Sequence, residues 1–198
     1  ESTRLVLDTN RAWVTMADDL ATLFGDFRMI ACVRDVAWVM DSLERQYRLN
    51  GFEHTRLFNS WEERSTVYTR CETLALPGRM VGFPLRALRE MCFGEHAGRL
   101  LIVDYAHLVT KPADVIALIY RFLDEPPFEH DFDNVVYDAP EFDEQLGLRG
   151  LHRVRKKVET QSRQTILPPD LFERYANMAF WRDLKGSNAF RIKQAPEQ

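Results

Sequence analysis

The stretch "MIACVRDVAWVMDSLERQYR", residues 29 to 48, passes from one kind of periodicity to another. Within and just before it, "RMIACV" (28 to 33) reads as a buried strand whose continuous apolar character suits a parallel sheet covered on both faces. The run stops at Arg34-Asp35, and a helical pattern follows from about Val36 to Asn50, with Gly51 as its stop. A strand feeding a helix in this way brings the strand's C-terminus and the helix's N-terminus to one edge. Backbone N–H groups and the helix dipole make such an edge favourable for an anion. Arg34 stands at that edge, and its guanidinium is able to grip a phosphate with two hydrogen bonds. Ser42 lies about two turns along the helix, where its hydroxyl reaches the same phosphate only if the group lies along the helix side. An arginine at a strand end is as readily a surface residue, and a helical serine as readily fills a small space, so both readings stand here.

The same alternation extends outward along the chain. "RLVLD" (4 to 8) reads as a short strand, and "RAWVTMADDLATLFG" shows helical spacing at Trp13, Leu20, Leu23 and Phe24, closed by Gly25. A polar, aromatic-rich stretch leads to a helix with Leu85, Leu88 and Met91 on one face. "RLLIVDY" (99 to 105) is a further strand. "VTKPADVIALIYRFLDEPP" is a helix entered through Thr110 or Lys111 and Pro112, carrying Val115, Ile116, Ile119 and Leu123, and ended by a Pro pair. Another helix is expected at 169 to 180. Strand and helix alternating in this order predict an α/β fold of three layers, a parallel central sheet flanked by helices with right-handed crossovers. A length of 198 residues with 45% hydrophobic content supports one core, so residues 1 to 198 are read as a single domain.

Composition excludes several classes. No run approaches the ~18 apolar residues that span a bilayer, so no membrane segment is expected, and the opening residues do not read as a signal peptide. Cys32, Cys71 and Cys92 are scattered and odd in number, which implies reduced thiols and a cytoplasmic setting rather than a disulfide framework. The net charge of -4 argues against nucleic-acid binding. Acidic residues gather at 124 to 145, and the basic "LRGLHRVRKK" (148 to 157) follows, either as an anion-holding loop or as a solvated run. His54, His96, His107 and His130 show no ligand spacing, so no metal is expected.

In α/β folds the ligand crevice lies at the strand C-termini. Three such edges are named by the sequence: Asp8-Thr9-Asn10-Arg11, Arg34-Asp35 and Asp104-Tyr105. "CVRD" with a serine eight positions after its arginine, followed much later by "VDYAHLVTKP", resembles the sulfotransferases that use 3'-phosphoadenosine 5'-phosphosulfate. "VLDTNRAW", "GLHRVRKKV" and "TILPPDLF" look like segments of bacterial members of that family. The resemblance covers residues 4 to about 182. It implies a fold related to P-loop nucleotide kinases, and sulfuryl transfer to an acceptor hydroxyl or amine on a small molecule, glycan or peptide. The product nucleotide is adenosine 3',5'-bisphosphate, and no metal is required. It further implies that Arg34 and Ser42 hold the 3'-phosphate, that Tyr105 lies near the adenine, and that Arg153 and Arg155 close over the nucleotide.

Two departures from the family pattern are visible. Its glycine-rich loop for the 5'-phosphosulfate is missing, which leads to the expectation that the chain starts after that loop and is poorly active alone. Ala106 stands where the family usually carries an acid. The general base is not fixed by the sequence. Asp8 could serve if burial raised its pKa, Asn10 can only hydrogen-bond, and Arg11 could stabilise transition-state charge. Asp8 and Asn10 read equally well as a helix-capping pair. Trp61, Glu62 and Tyr68 are placed as acceptor contacts or as packing for a long connection. Two rivals remain, a related nucleotide kinase and a non-catalytic nucleotide- or partner-binding module, and the sequence leaves a homo-oligomer open.

Overall fold

In the computed structural model, residues 5–49, 57–137, 144, 154–160 and 162–192 are described. Two of the expected strands form and pair in parallel. β1 (Met29–Val33) lies beside β2 (Leu100–Asp104) in the register Met29↔Leu100 to Val33↔Asp104. A two-residue strand, β3 (Phe190–Arg191), pairs in parallel with the other side of β2. The sheet order is β1-β2-β3, so β2 is central and the outer edge of β1 is unpaired among the described residues.

Alternation about the pleat sends β2 side chains to two cores. Leu100 and Ile102 join Met29, Val33 and the larger core on one face, whereas Leu101 and Val103 join Val115, Ile192 and Ile30 on the other. Burial of both faces is why β2 reads as an unbroken apolar run, whereas the equally apolar β1 leaves Cys32 exposed. Each fully buried aliphatic side chain contributes about 1.5–3 kcal/mol relative to exposure.

The helices follow from local signals. α1 (Ala17–Phe24) ends at Gly25, whose φ of 63° lies in the left-handed region that glycine adopts without a Cβ penalty. α2 (Val36–Leu49) turns Val36, Ala37, Met40 and Leu43 into the larger core. Between α2 and β2 stand α3 (Trp61–Arg64), α4 (Val67–Ala75) and α5 (Gly82–Phe93). Thr66 caps α4 reciprocally with Thr69. After β2 come α6 (Tyr105–Thr110) and α7 (Pro112–Leu123), the latter with Pro112 in its first turn and Asp124 in the left-handed conformation after its last. α8 (Pro169–Ala176) packs across α2 through Trp38 and Phe172, whose rings meet edge to face at 5.1 Å.

Three expectations are revised. Residues 5 to 8 form no strand, and Leu5, Val6 and Leu7 are 45%, 79% and 76% exposed, because no ladder partner lies beside them. The amphipathic segment after them splits into a 3-10 turn (Trp13–Thr15) and α1, and this leaves Leu23 and Phe24 facing water. The last helix stops at Ala176, short of residue 180, and a 3-10 turn (Phe180–Arg182) follows. Among the described residues no helix is long and apolar enough to cross a membrane.

Candidate functional site

The C-terminal end of β1 delivers Arg34 directly to the start of α2, and the C-terminal end of β2 delivers Tyr105 beside it. The Arg34 guanidinium lies over the Tyr105 ring, 4.7 Å from its centroid. Two of the three expected strand-end groups are thus joined by a direct contact. Arg34 makes no hydrogen bond or ion pair among the described residues. Its neighbour Asp35 is fully engaged: Oδ1 accepts from the Ala37 amide at 2.9 Å as a helix cap, and Oδ2 accepts from Arg182 at 2.7 Å. A carboxylate therefore occupies the tip of α2. An anion would have to lie along the side of the helix, toward Ser42.

Ser42 is half-buried, and its surroundings hold a residue the sequence did not single out. Arg163 donates from Nη2 to Ser42 Oγ at 2.9 Å, across 121 positions of chain. The Ser42 hydroxyl in turn donates to the Trp38 carbonyl at 2.9 Å. Arg163 also stacks over the Trp38 ring at 5.1 Å and contacts the Asp41 carboxylate at 3.0 Å. Its Nε is buried with no acceptor. Burial, and then the nearby charges of Arg34 and Arg45, hold the Arg163 pKa below the ordinary arginine value, against the opposing pull of Asp41. Arg34, Ser42, Tyr105 and Arg163 therefore form one cluster with two cations, a hydroxyl and an aromatic face. Part of its donor capacity is unused.

The only sequence signal for Arg163 was an arginine just before "TILPPDLF". Nothing local shows that this segment folds back onto α2, because the fold-back depends on Asp41 (fully buried) accepting from the Ile166 amide at 2.7 Å and from Thr165 at 3.0 Å.

Among the described residues, no hydrogen bond or ion pair joins the other expected site residues to this cluster. Asp8 accepts from the Trp13 indole at 2.7 Å, and Asn10 accepts from the Ala12 amide at 2.9 Å, so both serve the turn that leads into the first helical segment. Arg11 is exposed, and no hydrogen bond or ion pair joins residues 8, 10 or 11 to Arg34, Ser42 or Arg163. Arg155 is exposed in a segment laid against residues 132 to 135, where the Val135 amide donates to Lys156 and the Val158 amide to Phe132, with Lys157 paired to Asp133 at 2.8 Å. Arg153 and the neighbouring His152 fall outside the described residues, as does His54. Trp61 is 67% exposed, and Tyr68 donates to Asp170 at 3.1 Å. α3 is tied to α2 through Tyr47, whose hydroxyl donates to the Arg64 carbonyl at 3.3 Å. Tyr47 is about 16 Å along α2 from its start at 1.5 Å per residue. The aromatic stretch therefore borders the far end of α2 rather than the Arg34 end.

Among the described residues no three His, Cys, Asp or Glu side chains gather in a metal-binding arrangement. No protein-family model matches the chain and a search of curated proteins finds no match, so the cluster's geometry and the motif resemblance carry the functional reading alone.

Proposed function

We propose that this chain is a sulfotransferase-type α/β domain, related in architecture to P-loop nucleotide kinases. It binds 3'-phosphoadenosine 5'-phosphosulfate by its 3'-phosphate and promotes sulfuryl transfer to an acceptor hydroxyl or amine. The observation that carries the reading is unspent cationic capacity at one strand edge. Arg34 stacks on Tyr105 with no anionic partner among the described residues, and Arg163, which feels the charge of Arg34 and donates to Ser42, keeps its Nε buried without an acceptor. Asp41 offsets the like charges only in part, since Arg34 keeps no anionic partner among the described residues, and a bound anion would offset them further.

Arg34 offers its fork to a phosphate dianion, and Arg163 donates from the opposite side. Ser42 then swings its hydroxyl from the Trp38 carbonyl to a phosphate oxygen. Tyr105 presents an exposed ring face beside Arg34, suited to a nucleoside. The bound nucleotide supplies the sulfuryl group, and fixed positive charge favours the departing phosphate without a metal. Asp8, Asn10 and Arg11 are the chain's own candidates for the acceptor side, with Asp8 as base only when it releases the Trp13 indole. The engagement of Asp8 and Asn10 in local turns favours a second reading, a nucleotide-binding module without catalysis.

Calorimetric titration with adenosine 3',5'-bisphosphate tests the common element of both readings. Micromolar binding that disappears in a folded Arg34→Ala, Ser42→Ala double variant is the expected result. Binding that survives the double variant, or is absent from the folded wild type, refutes the site. Sulfuryl transfer to a hydroxyl acceptor, assayed by release of that bisphosphate, then separates enzyme from module.

A further inference from the structure

Arg163 is partly buried and within reach of the like charges of Arg34 and Arg45, so something must hold it there. Among the described residues its only carboxylate contact is Asp41. We propose that Asp41 is a positioning residue, a buried carboxylate that holds Arg163 over Ser42 and so sets the affinity of the Arg34–Ser42–Arg163 cluster for a phosphate group. The proposal rests on reading that cluster as an anion site.

The two oxygens of Asp41 have separate tasks. Oδ1 accepts from the Ile166 amide at 2.7 Å and from Thr165 Oγ1 at 3.0 Å, docking the backbone of residues 165 and 166 on α2. Oδ2 accepts from Arg45 Nε at 2.9 Å and faces Arg163 Nη2 at 3.0 Å. Arg45 reaches on to the Gln164 carbonyl at 2.5 Å, and Thr165 Oγ1 receives the Leu167 amide at 3.1 Å. Polar bonds therefore fasten residues 163 to 166 along one side of α2, from the Trp38 carbonyl, which accepts from Arg163 at 3.3 Å, to Arg45. Asp41 Oδ2 meets the same Nη2 that donates to Ser42, so the carboxylate fixes that nitrogen at the serine and offsets the like charge of Arg34, while Arg163 Nε stays without an acceptor among the described residues. Held in this way, Arg163 need not be ordered when the anion arrives, which is where preorganisation raises affinity.

A role through Arg163 differs from a merely structural one in its additivity. Asp41→Asn keeps an acceptor for Ile166 and Thr165 while removing the charge that faces Arg163. Wild type, Asp41→Asn, Arg163→Ala and the double variant are titrated with inorganic phosphate and, separately, with adenosine 3',5'-bisphosphate. Asp41→Asn is expected to weaken phosphate binding on the order of 10-fold, the scale of one charge-assisted hydrogen bond, and to weaken it no further once Arg163 is alanine. Equal losses in both backgrounds, or no loss in either, overturn the proposal. If Asp41→Asn does not fold, Thr165→Val takes its place in the cycle, with a several-fold loss expected only where Arg163 is present; a loss of the same size in both backgrounds overturns the proposal. Phosphate binding that passes this cycle while the bisphosphate binds no more tightly than phosphate leaves Asp41 in its role and removes the nucleotide reading. Failure of both ligands to bind folded wild type removes both.

Discussion

Replacing Arg34 with alanine should separate stability from binding. In the structure the side chain contributes one identifiable attraction, the stack on Tyr105 at 4.7 Å, worth about 0.5–1 kcal/mol at a partly exposed site. Against that stands the like charge of Arg163, whose pKa is lowered mainly by burial and to a lesser degree by Arg34. The two effects oppose, so Arg34→Ala should change unfolding free energy by no more than about 1 kcal/mol in either direction. With a urea slope of about 1–3 kcal/mol per molar, the midpoint should move by no more than about 1 M. Affinity behaves differently, because each hydrogen bond to a charged group contributes about 1.5–3 kcal/mol. Losing the Arg34 contact should therefore weaken adenosine 3',5'-bisphosphate binding roughly 10- to 150-fold. Arg34→Lys should fall between, since it keeps the charge but not the planar fork. The assay pairs urea unfolding, followed by tryptophan fluorescence, with calorimetric titration at two ionic strengths. Destabilisation beyond about 2 kcal/mol would show that Arg34 is a structural residue. Unchanged affinity would refute the anion site.

Three further outcomes are expected. Glu44→Ala strands Arg70, which is buried and now paired through Nε and Nη2 to both Glu44 oxygens at 2.8 and 2.7 Å, and it should lower stability by about 3–5 kcal/mol in urea unfolding. At Gly82 a Cβ would collide with the backbone carbonyls of Leu76 and Ala75, so Gly82→Ala should cost about 3 kcal/mol or more and shift the thermal midpoint down, whereas Gly98→Ala, where a Cβ meets nothing within 4 Å, should not. Burial alone would raise the Asp41 pKa, but hydrogen bonds from Arg45, the Ile166 amide and Thr165, with the charge of Arg163, hold it below the ordinary 3.8. Its contribution is therefore complete above about pH 4–5 and fades as pH falls through the lowered folded value; the stability gap between wild type and Asp41→Asn should narrow in acid, and a gap that widens would contradict the assignment.

What the sequence disclosed depended on the range over which each signal acts. β1, β2, α2, α5 and α7 were legible because unbroken apolar runs and helical spacing are local consequences of burial, and Gly25 and Pro112 mark ends by backbone chemistry alone. "RLVLD" carries the same apolar signal, yet it forms no strand, since a strand also needs a partner and sequence shows only the face, not the ladder. β3 has two residues and is defined by its pairing to β2, so no periodicity announces it. Within the cluster, Arg34 and Tyr105 could be named from their places at strand ends, and Ser42 from its spacing of eight positions after Arg34 and the family resemblance. Arg163 was not, because its place follows from a bond pattern that closes across 121 residues.

α2 explains why that long-range closure is specific. Its buried side carries two carboxylates, Asp41 and Glu44, three positions apart among Met40 and Leu43. Each has a helical arginine one turn on, Arg45 at 2.9 Å and Arg48 at 2.8 Å, and each also takes an arginine from elsewhere, Arg163 and Arg70. Buried ion pairs seldom add net stability over well-packed apolar side chains of the same size. Their distinctive effect is directional, since a carboxylate accepts only along its lone pairs and a guanidinium donates only in its plane. Leucine at both positions would still bury α2, but it would not dictate which segment lies on which turn. With carboxylates there, residues 163 to 166 have one register on the Ser42 side and Arg70 has one on the opposite stretch of the helix. The register at Asp41 is the one that brings a second cation to the edge where β1 ends. A core position that reads as a flaw in the apolar stripe is thus what brings Arg163 to Ser42.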